Sequence, residues 1–254
     1  MCVSRGWGIL QGYRVRHTAA GRLRKETKMI QAVCFDLFDT LADAHRQPEP
    51  SESEILGIPP EEWGAAMWEE ELCRDRGLGT VKTVREMIDR ACENLPFPVP
   101  EEKRRAVETA RCERLRMAVT QIDGQIVETV RRLKESGLKI GLISNADVCD
   151  RLYWDCSPVF PFFDDSIFSC DVGLLKPDPA IYLLSLSRLG VKPSDALFVG
   201  DGGSRELEGA KALGMGTVCT EYLVRRPARE RKEILKSADY TVRQFRELAD
   251  LVRR

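Results

Sequence analysis

The sequence predicts an α/β protein in which a parallel sheet is covered by helices on both faces and interrupted by a helical insertion. Short apolar runs alternate with amphipathic stretches along most of the chain. That alternation is typical of parallel sheets with crossover helices. No strand pattern occurs between about residues 42 and 123. Because this interval is too long for a loop, we expect it to form a helical unit of its own.

Each element of the sheet layer is predicted from its local pattern. Amphipathic helices are expected at Gln125–Ser136, Pro179–Leu189 and Ser204–Leu213, where apolar residues recur every three to four positions. A glycine follows each of these helices, as is common where a helix ends. The predicted strands are Ile30–Phe35, Leu138–Ser144, Ser166–Ser169, Ala196–Gly200, Gly216–Cys219 and, more weakly, Asp239–Val242.

The insertion is interpreted as a helical cap formed by residues 43–123. Open parallel sheets bind ligands at the carboxyl ends of their strands, and the cap is expected to cover that edge. Residues 29–42 and 124–254 would form the core. The predicted cap helices are Ile55–Gly57, Trp63–Arg74, Val81–Glu93 and Glu101–Arg116.

The sequence of the predicted cap gives little information about substrate specificity. Three large side chains are expected in the cap interior rather than against a substrate, namely Trp63, Met67 and Trp68. Three arginines would suit a substrate carboxylate or a second phosphate, but we expect them on solvated helix faces: Arg74, Arg76 and Arg85. The oligomeric state cannot be read from these patterns.

The amino-acid composition argues against several classes of function. The hydrophobic fraction is 43%, the charged fraction 31% and the formal net charge -1, which gives no reason to expect nucleic acid or an anionic membrane as a partner. No apolar run approaches the roughly 18–20 residues that span a bilayer. The nine cysteines are irregularly spaced and include no CxxC pair. We therefore expect no disulfide framework or zinc site, and a reducing, cytoplasmic location.

Residues 1–28 differ from the rest of the chain. They carry five Arg and two Lys against a single Glu. They lack the apolar core of about 7–15 residues that a secretory signal needs. We expect a poorly ordered basic extension, with Met29 as the effective start of the folded chain. A basic tail or a targeting peptide is the alternative.

Polar side chains follow four apolar runs or open a helix on the same side of the predicted sheet. They lie in Asp36–Thr40, in Ser144-Asn145, in Lys176–Pro179, and at Asp201 with Glu206 after it. Taken singly, each pattern is common in turns and helix caps. Taken together they predict one site, because the carboxyl ends of parallel strands meet at one edge.

From about Ile30 onward the sequence resembles the haloacid dehalogenase-like (HAD) superfamily of hydrolases, in the branch whose helical cap follows the first strand. The resemblance implies a Rossmann-like, three-layer sheet of order 3-2-1-4-5. The residues that carry it are DLFDTL (Asp36–Leu41), ISN (Ile143–Asn145), GLLKPDPAIY (Gly173–Tyr182) and FVGDGGSRELEGAKALGM (Phe198–Met215).

Physical roles can be assigned to these residues for a small phosphorylated substrate. Asp36 would attack an electrophilic phosphorus or carbon and form an aspartyl intermediate. Asp36, the backbone carbonyl of Phe38 and Asp201 could hold Mg²⁺ in a shell of oxygen ligands. Glu206 would position a metal-bound water or support Lys176. We therefore expect Mg²⁺ as the cofactor.

The remaining predicted site residues contact the phosphoryl group. Lys176 would neutralise the nucleophile and the charge that develops on the phosphoryl group. Thr40 and Ser144, with Asn145 beside them, would hydrogen-bond its oxygens.

One position departs from the pattern of the superfamily's phosphatases. They usually carry a second aspartate two residues after the nucleophile, where this chain has Phe38, and the next acid is Asp39. On an extended segment Asp39 would face away from the leaving oxygen. Two alternatives therefore stay open: a 2-haloacid dehalogenase, which needs no such acid, and a binding module with a weakened site.

Overall fold

A parallel sheet of six strands forms the centre of the described part of the chain, residues 29–252 of the computed structural model. The order across the sheet is β3-β2-β1-β4-β5-β6, with every neighbouring pair parallel. The predicted order 3-2-1-4-5 is confirmed, and the sixth strand extends it. The predictions for residues 1–28 lie outside the described residues. The strands are β1 (Ala32–Phe35), β2 (Lys139–Ser144), β3 (Asp165–Phe168), β4 (Ala196–Gly200), β5 (Gly216–Thr220) and β6 (Tyr240–Val242).

Both faces of the sheet are buried, as the central strand β1 shows. Val33 and Phe35 belong to one apolar cluster, whereas Ala32 and Cys34 belong to another. Because side chains alternate along a strand, the two clusters lie on opposite faces of the sheet. All four side chains are at most 1% exposed. The predicted three-layer α/β architecture is therefore confirmed.

All the regular elements between β1 and β2 are helices. Those before residue 121, here called the inserted helices, pack around an apolar cluster of their own, whose members include Leu72, Met87 and Ile88. Their role as a cap over a substrate stays a prediction. The inserted helices are α1 (Glu52–Leu56), α2 (Pro60–Met67), α3 (Glu70–Leu78), α4 (Val84–Glu93) and α5 (Glu101–Thr120).

The predicted single helix Trp63–Arg74 is wrong, because the chain breaks between α2 and α3. The Glu69 carboxylate accepts hydrogen bonds from the backbone amides of Glu71 and Leu72, and so caps a new helix. Trp63 is buried as predicted, but Trp68 at the break is 69% exposed. Its ring instead faces the guanidinium of Arg76.

Six further helices accompany the strands in the described residues, and local signals set their ends. The Asp178 carboxylate accepts a hydrogen bond from the amide of Ala180 and caps α8. Gly190 ends α8 in the left-handed conformation, at φ 70°. The helices are α6 (Gly124–Glu135), α7 (Ser169–Val172), α8 (Pro179–Leu189), α9 (Glu206–Ala212), α10 (Ala228–Ile234) and α11 (Leu248–Leu251).

The inserted helices contact the loops at the carboxyl ends of the strands. Arg76 of α3 and Arg111 of α5 both donate to the carboxylate of Asp147, in the loop after β2. Phe38, just after β1, packs against both the sheet cluster and the cluster of the inserted helices. The expected solvated position of Arg76 is wrong, since the residue is 5% exposed. Among the described helices, none is both long and apolar enough to cross a membrane.

Candidate active site

The first strand delivers a buried carboxylate to the edge of the sheet. The amide of Asp36 donates to the carbonyl of Val199 at 2.9 Å, so the pairing of β1 with β4 continues up to this residue. Asp36 is only 7% exposed. The Thr40 hydroxyl, 3.3 Å away, donates to Oδ2 of Asp36. Thr40 therefore contacts the nucleophile candidate itself, which the sequence did not predict.

Lys176 links two of the predicted acids. Its Nζ lies 2.5 Å from Oδ1 of Asp36 and 2.6 Å from Oε2 of Glu206. Burial lowers the pKa of the lysine, but the carboxylates of Asp36 and Glu206 outweigh that effect and raise its pKa overall. Burial raises the pKa of the Asp36 carboxyl, and the Lys176 ammonium opposes that shift. The lysine is thus a fixed positive charge beside Asp36.

Asn145 holds Lys176 in place. Its Oδ1 accepts the backbone amide of Lys176 at 2.8 Å, and its Nδ2 donates to the carbonyl of the same residue at 3.0 Å. Both ends of the side-chain amide are therefore used by the backbone of Lys176, although Asn145 also lines the cavity beside Asp36. This positioning contact was not part of the sequence prediction, which assigned Asn145 to the substrate.

Glu206 sits at the start of α9 in space that a glycine provides. A Cβ at Gly200 would lie 2.0 Å from Oε1 of Glu206, so any larger residue there would displace the carboxylate. The same Oε1 accepts the backbone amide of Gly202, which has φ 96°. Burial, followed by the nearby Asp36, raises the pKa of Glu206 to about 8.

Asp36, Asp201 and Glu206 form a cluster that could hold a divalent cation. One carboxylate oxygen from each lies within 4.8 Å of the others, and all three residues are buried. Carboxylate oxygens are the ligands that Mg²⁺ prefers, so the donor set fits this ion. Arg226, which the sequence analysis missed, also contacts the cluster, its Nε 3.0 Å from Oδ2 of Asp201.

Asp39 lies in a tight turn rather than on an extended segment. Its φ is 58°, and its amide donates to the carbonyl of Ala42. Asp36, Phe38 and Asp39 line the same cavity. The expectation that Asp39 faces away assumed alternating side chains, and the turn removes that assumption. Burial raises the pKa of Asp39.

The Oδ1 atom of Asp39 is buried without a hydrogen bond within residues 29–252. The hydroxyl of Ser144, on the last residue of β2, is likewise buried and makes no hydrogen bond within that range. Ser144 is 1% exposed. Ser144 therefore keeps a free hydrogen-bonding capacity within residues 29–252, whereas Oδ1 of Asp39 lies 3.4 Å from Nε2 of His45.

A cavity of about 250 Å³ connects these acids to the inserted helices. Its far side is formed by residues that sequence reasoning did not assign to the site. Arginine is common on helix surfaces, so no local pattern distinguishes those that turn inward. These residues are Trp68, Arg76, Arg111, Arg114 and Leu115.

The family model of the haloacid dehalogenase-like hydrolases matches residues 30–214. This match covers all four groups of site residues and the inserted helices. The fold, the carboxylate cluster and this match agree, and the chain belongs to the family of haloacid dehalogenase-like hydrolases.

Two of the relatives have different activities. A glyceraldehyde 3-phosphate phosphatase of Methanopyrus kandleri is 27% identical over 242 residues, which is 89% of this chain and 98% of the relative. An (S)-2-haloacid dehalogenase of Pseudomonas putida is 28% identical over 179 residues, which is 68% of this chain and 76% of the relative.

A solved structure shows the same fold. The L-2-haloacid dehalogenase of Xanthobacter autotrophicus, with chloropropionic acid covalently bound, superposes with a TM-score of 0.62 at 20% identity. The superposition covers 89% of this chain and 99% of that one. The comparisons therefore establish the hydrolase family and the fold. They do not distinguish between the reactions of these relatives, so the reaction has to be inferred from the chemistry of the site.

Proposed function

We propose that the protein is a Mg²⁺-dependent phosphatase that acts on a small phosphorylated metabolite through an aspartyl-phosphate intermediate. The carrying observation is the buried cluster of Asp36, Asp201 and Glu206, whose carboxylate oxygens lie within 4.8 Å of one another. Three acids held this close repel one another unless cations offset their charge. Lys176 and Arg226 offset part of this charge, and a bound Mg²⁺ would offset more of it, which supports a metal-dependent phosphatase.

Mg²⁺ would be held by the carboxylates of Asp36 and Asp201 and by the backbone carbonyl of Phe38, with Glu206 supporting the site. When bound, the ion supplies positive charge that shields the phosphoryl group from the acids around it. It also favours the ionised form of Asp36, against the effect of burial on the pKa of that residue.

The side chains then carry the reaction in two displacements. Asp36 attacks phosphorus through one carboxylate oxygen, and the bond from phosphorus to the ester oxygen breaks. A water molecule next attacks the aspartyl phosphate, which releases inorganic phosphate and restores Asp36. Lys176 offsets negative charge during both displacements. Ser144, whose hydroxyl has no other partner within residues 29–252, would donate to a phosphoryl oxygen.

Asp39 is proposed as the general acid and base. It lines the cavity with Asp36, and burial raises its pKa, which increases the protonated fraction. A protonated Asp39 would give its proton to the leaving oxygen and then accept one from the attacking water. Such help is worth roughly 10²- to 10⁴-fold in rate.

The central test is hydrolysis of p-nitrophenyl phosphate by the purified protein. We expect turnover with Mg²⁺, its loss in excess chelator and its recovery when Mg²⁺ is restored. Asp36→Asn should abolish turnover, because an amide oxygen is a poor nucleophile, while the exposed Asp155→Asn should behave like wild type. Equal rates with and without chelator would contradict the metal assignment.

A second candidate is a 2-haloacid dehalogenase, and Phe38 is the observation that favours it. Halide leaves without a proton, so an aromatic residue in place of an acid suits that chemistry. Release of chloride from 2-chloropropionate at the same rate with and without chelator, together with no phosphatase activity, would establish this alternative. If neither phosphate nor chloride is released, the result would favour the third alternative, a binding module with a weakened site.

The predicted cytoplasmic location, and the expectation that neither nucleic acid nor membrane is a partner, stay predictions. The small phosphorylated substrate is the only partner that this proposal requires.

A further inference from the structure

The inserted helices present arginine side chains to the cavity that Asp36 also lines. Arg76 comes from α3, and Arg111 and Arg114 come from α5. Arg111 is 6% exposed and Arg76 5% exposed. A guanidinium keeps its charge when buried, so each needs acceptors for its donors.

Arg76 has its acceptors within the protein. Its Nε and Nη2 donate to Oδ2 of Asp147 at 2.9 and 2.6 Å, and its Nη1 donates to the carbonyl of Met67 at 2.7 Å. All three nitrogens are therefore used. Arg76 is a structural contact between α3 and the loop after β2.

Arg111 is different, because most of its donors are unused. Only Nη2 makes a hydrogen bond in the described part of the chain, to Asp147 at 3.2 Å. Nε is buried without an acceptor there. Nη1 lies 3.9 Å from Oε2 of Glu52, which is beyond hydrogen-bond distance. A buried donor without an acceptor is costly, so this guanidinium can gain from a further anionic partner.

Arg114 lies one turn further along α5 and lines the same cavity. Its Nε donates to Glu52 at 3.1 Å and its Nη1 to the carbonyl of Ala44 at 3.2 Å. Asp150 also lines the cavity, but its Oδ2 accepts the backbone amide of Asp147 and so belongs to the turn after β2. The two arginines of α5 therefore contribute guanidinium groups to the cavity, next to the carboxylates of Glu52 and Asp147.

We propose that Arg111, assisted by Arg114, is a subsite for a carboxylate of the substrate. The proposal rests on the phosphatase function for the other end of the cavity, where Asp36 and Lys176 act. The cavity of about 250 Å³ admits only a small molecule. A planar carboxylate also matches the geometry of a guanidinium fork. The substrate class is therefore a small carboxylic acid that carries one phosphoryl group.

A matched pair of ligands tests the subsite directly. 2-Phospholactate and isopropyl phosphate differ only in that a methyl group replaces the carboxylate. Binding is measured by titration calorimetry with Mg²⁺ on Asp36→Asn, which cannot turn the ligands over. We expect 2-phospholactate to bind more tightly by about 10- to 100-fold, the usual worth of a charged hydrogen-bonding pair.

Arg111→Gln in the Asp36→Asn background should abolish that preference and leave the affinity for isopropyl phosphate within about threefold. Arg114→Gln should weaken the preference in part, and it keeps the test decisive if Arg111→Gln does not fold. Arg116→Gln is the matched control, because Arg116 lies on the same helix, pairs with Glu113 and does not line the cavity.

Three results would overturn the subsite. They are equal binding of the two ligands by the Asp36→Asn protein, a preference that survives both arginine substitutions, and tighter binding of 1,2-propanediol bisphosphate than of 2-phospholactate. The last result would make the second group a phosphate.

Failure of the phosphatase proposal would look different, since the wild-type protein would then hydrolyse p-nitrophenyl phosphate no faster with Mg²⁺ than in excess chelator. In that case the KM for 2-chloropropionate tests the subsite. We expect it to rise by about 10- to 100-fold in Arg111→Gln, and an unchanged KM would overturn the subsite.

Discussion

At the scale of single residues, one backbone angle changes the chemistry that can be assigned to the site. Asp39 adopts a φ of 58°, in the left-handed region that non-glycine residues seldom occupy. Such conformations persist where the surrounding structure fixes them, and they are frequent at functional sites. Here the turn allows Asp36 and Asp39 to line one cavity, although Phe38 occupies the usual position of the second acid.

Asp39→Asn should slow the hydrolysis of isopropyl phosphate by roughly 10²- to 10⁴-fold, because an alkoxide leaves poorly without a proton. Hydrolysis of p-nitrophenyl phosphate should fall by a much smaller factor, since its leaving group is stable as an anion. Steady-state rates on the two esters measure the difference. Asp43→Asn, in the same segment but outside the cavity lining, is the control.

If Asp39→Asn leaves both rates unchanged while Phe38→Asp raises the isopropyl phosphate rate, Asp39 is not the general acid of the native chain.

At the scale of elements, the meeting of β4 with α9 sets the position of Glu206. The strand ends at Gly200, and the helix begins only six residues later with Glu206. The absence of a Cβ at Gly200 lets the glutamate reach Lys176 at 2.6 Å. The end of a strand and the start of a helix thus place the buried carboxylate of Glu206 beside Lys176.

Gly200→Ala should displace Glu206 and lower stability by about 1–3 kcal/mol, because the new methyl group would overpack a closed site. Phosphatase activity should fall with it. Urea unfolding and initial rates are the measurements. Gly64→Ala is the control, since no atom lies within 4 Å of its added Cβ and alanine favours the α2 helix. Equal behaviour of the two variants would contradict the role given to Gly200.

At the scale of the whole molecule, one buried acid joins the inserted helices to the sheet. Asp147 pairs with Arg76 at 2.6 Å and with Arg111 at 3.2 Å, and it is 2% exposed. Burial alone would raise the pKa of Asp147, but Arg111 and Arg76 outweigh it and lower the pKa to about 2. Through this residue the two arginines hold α3 and α5 against the loop after β2.

Asp147→Asn should lower the free energy of unfolding by about 3–5 kcal/mol, because it leaves two buried guanidiniums without their anion. Chemical denaturation monitored by circular dichroism measures the loss. Asp171→Asn removes a surface ion pair with Arg151 and should cost at most about 1 kcal/mol. A similar small cost for both variants would mean that the buried pair contributes little.

The pairing of Asp147 with the two arginines should also make the stability of the fold depend on pH. The pKa of Asp147 is about 2 in the folded chain and 3.8 for an unperturbed aspartate. Its pairing therefore stabilises the fold fully above about pH 4 and is lost as the pH falls through 2. The gap in unfolding free energy between wild type and Asp147→Asn should shrink by roughly 2 kcal/mol between pH 5 and pH 2. A gap independent of pH would contradict this.

The α/β architecture and the main acids of the candidate site can be predicted from the sequence alone. Apolar runs and helix-ending glycines are local signals, and they placed the central strands β2 and β4 to within one residue of their observed bounds. Asp36, Lys176 and Asp201 were predicted together, since each follows a strand or opens a helix at one edge of the sheet. Topology alone brings such positions together.

Contacts between distant elements set which arginines turn inward, and they also set the contacts of Asn145, Gly200 and Asp147. Arg76 and Asp147 are 71 residues apart, and no local pattern relates their side chains. Local propensity and periodicity act over a few residues, whereas the contacts that shape the cavity form between elements distant along the chain. Their geometry exists only once the inserted helices have packed against the sheet.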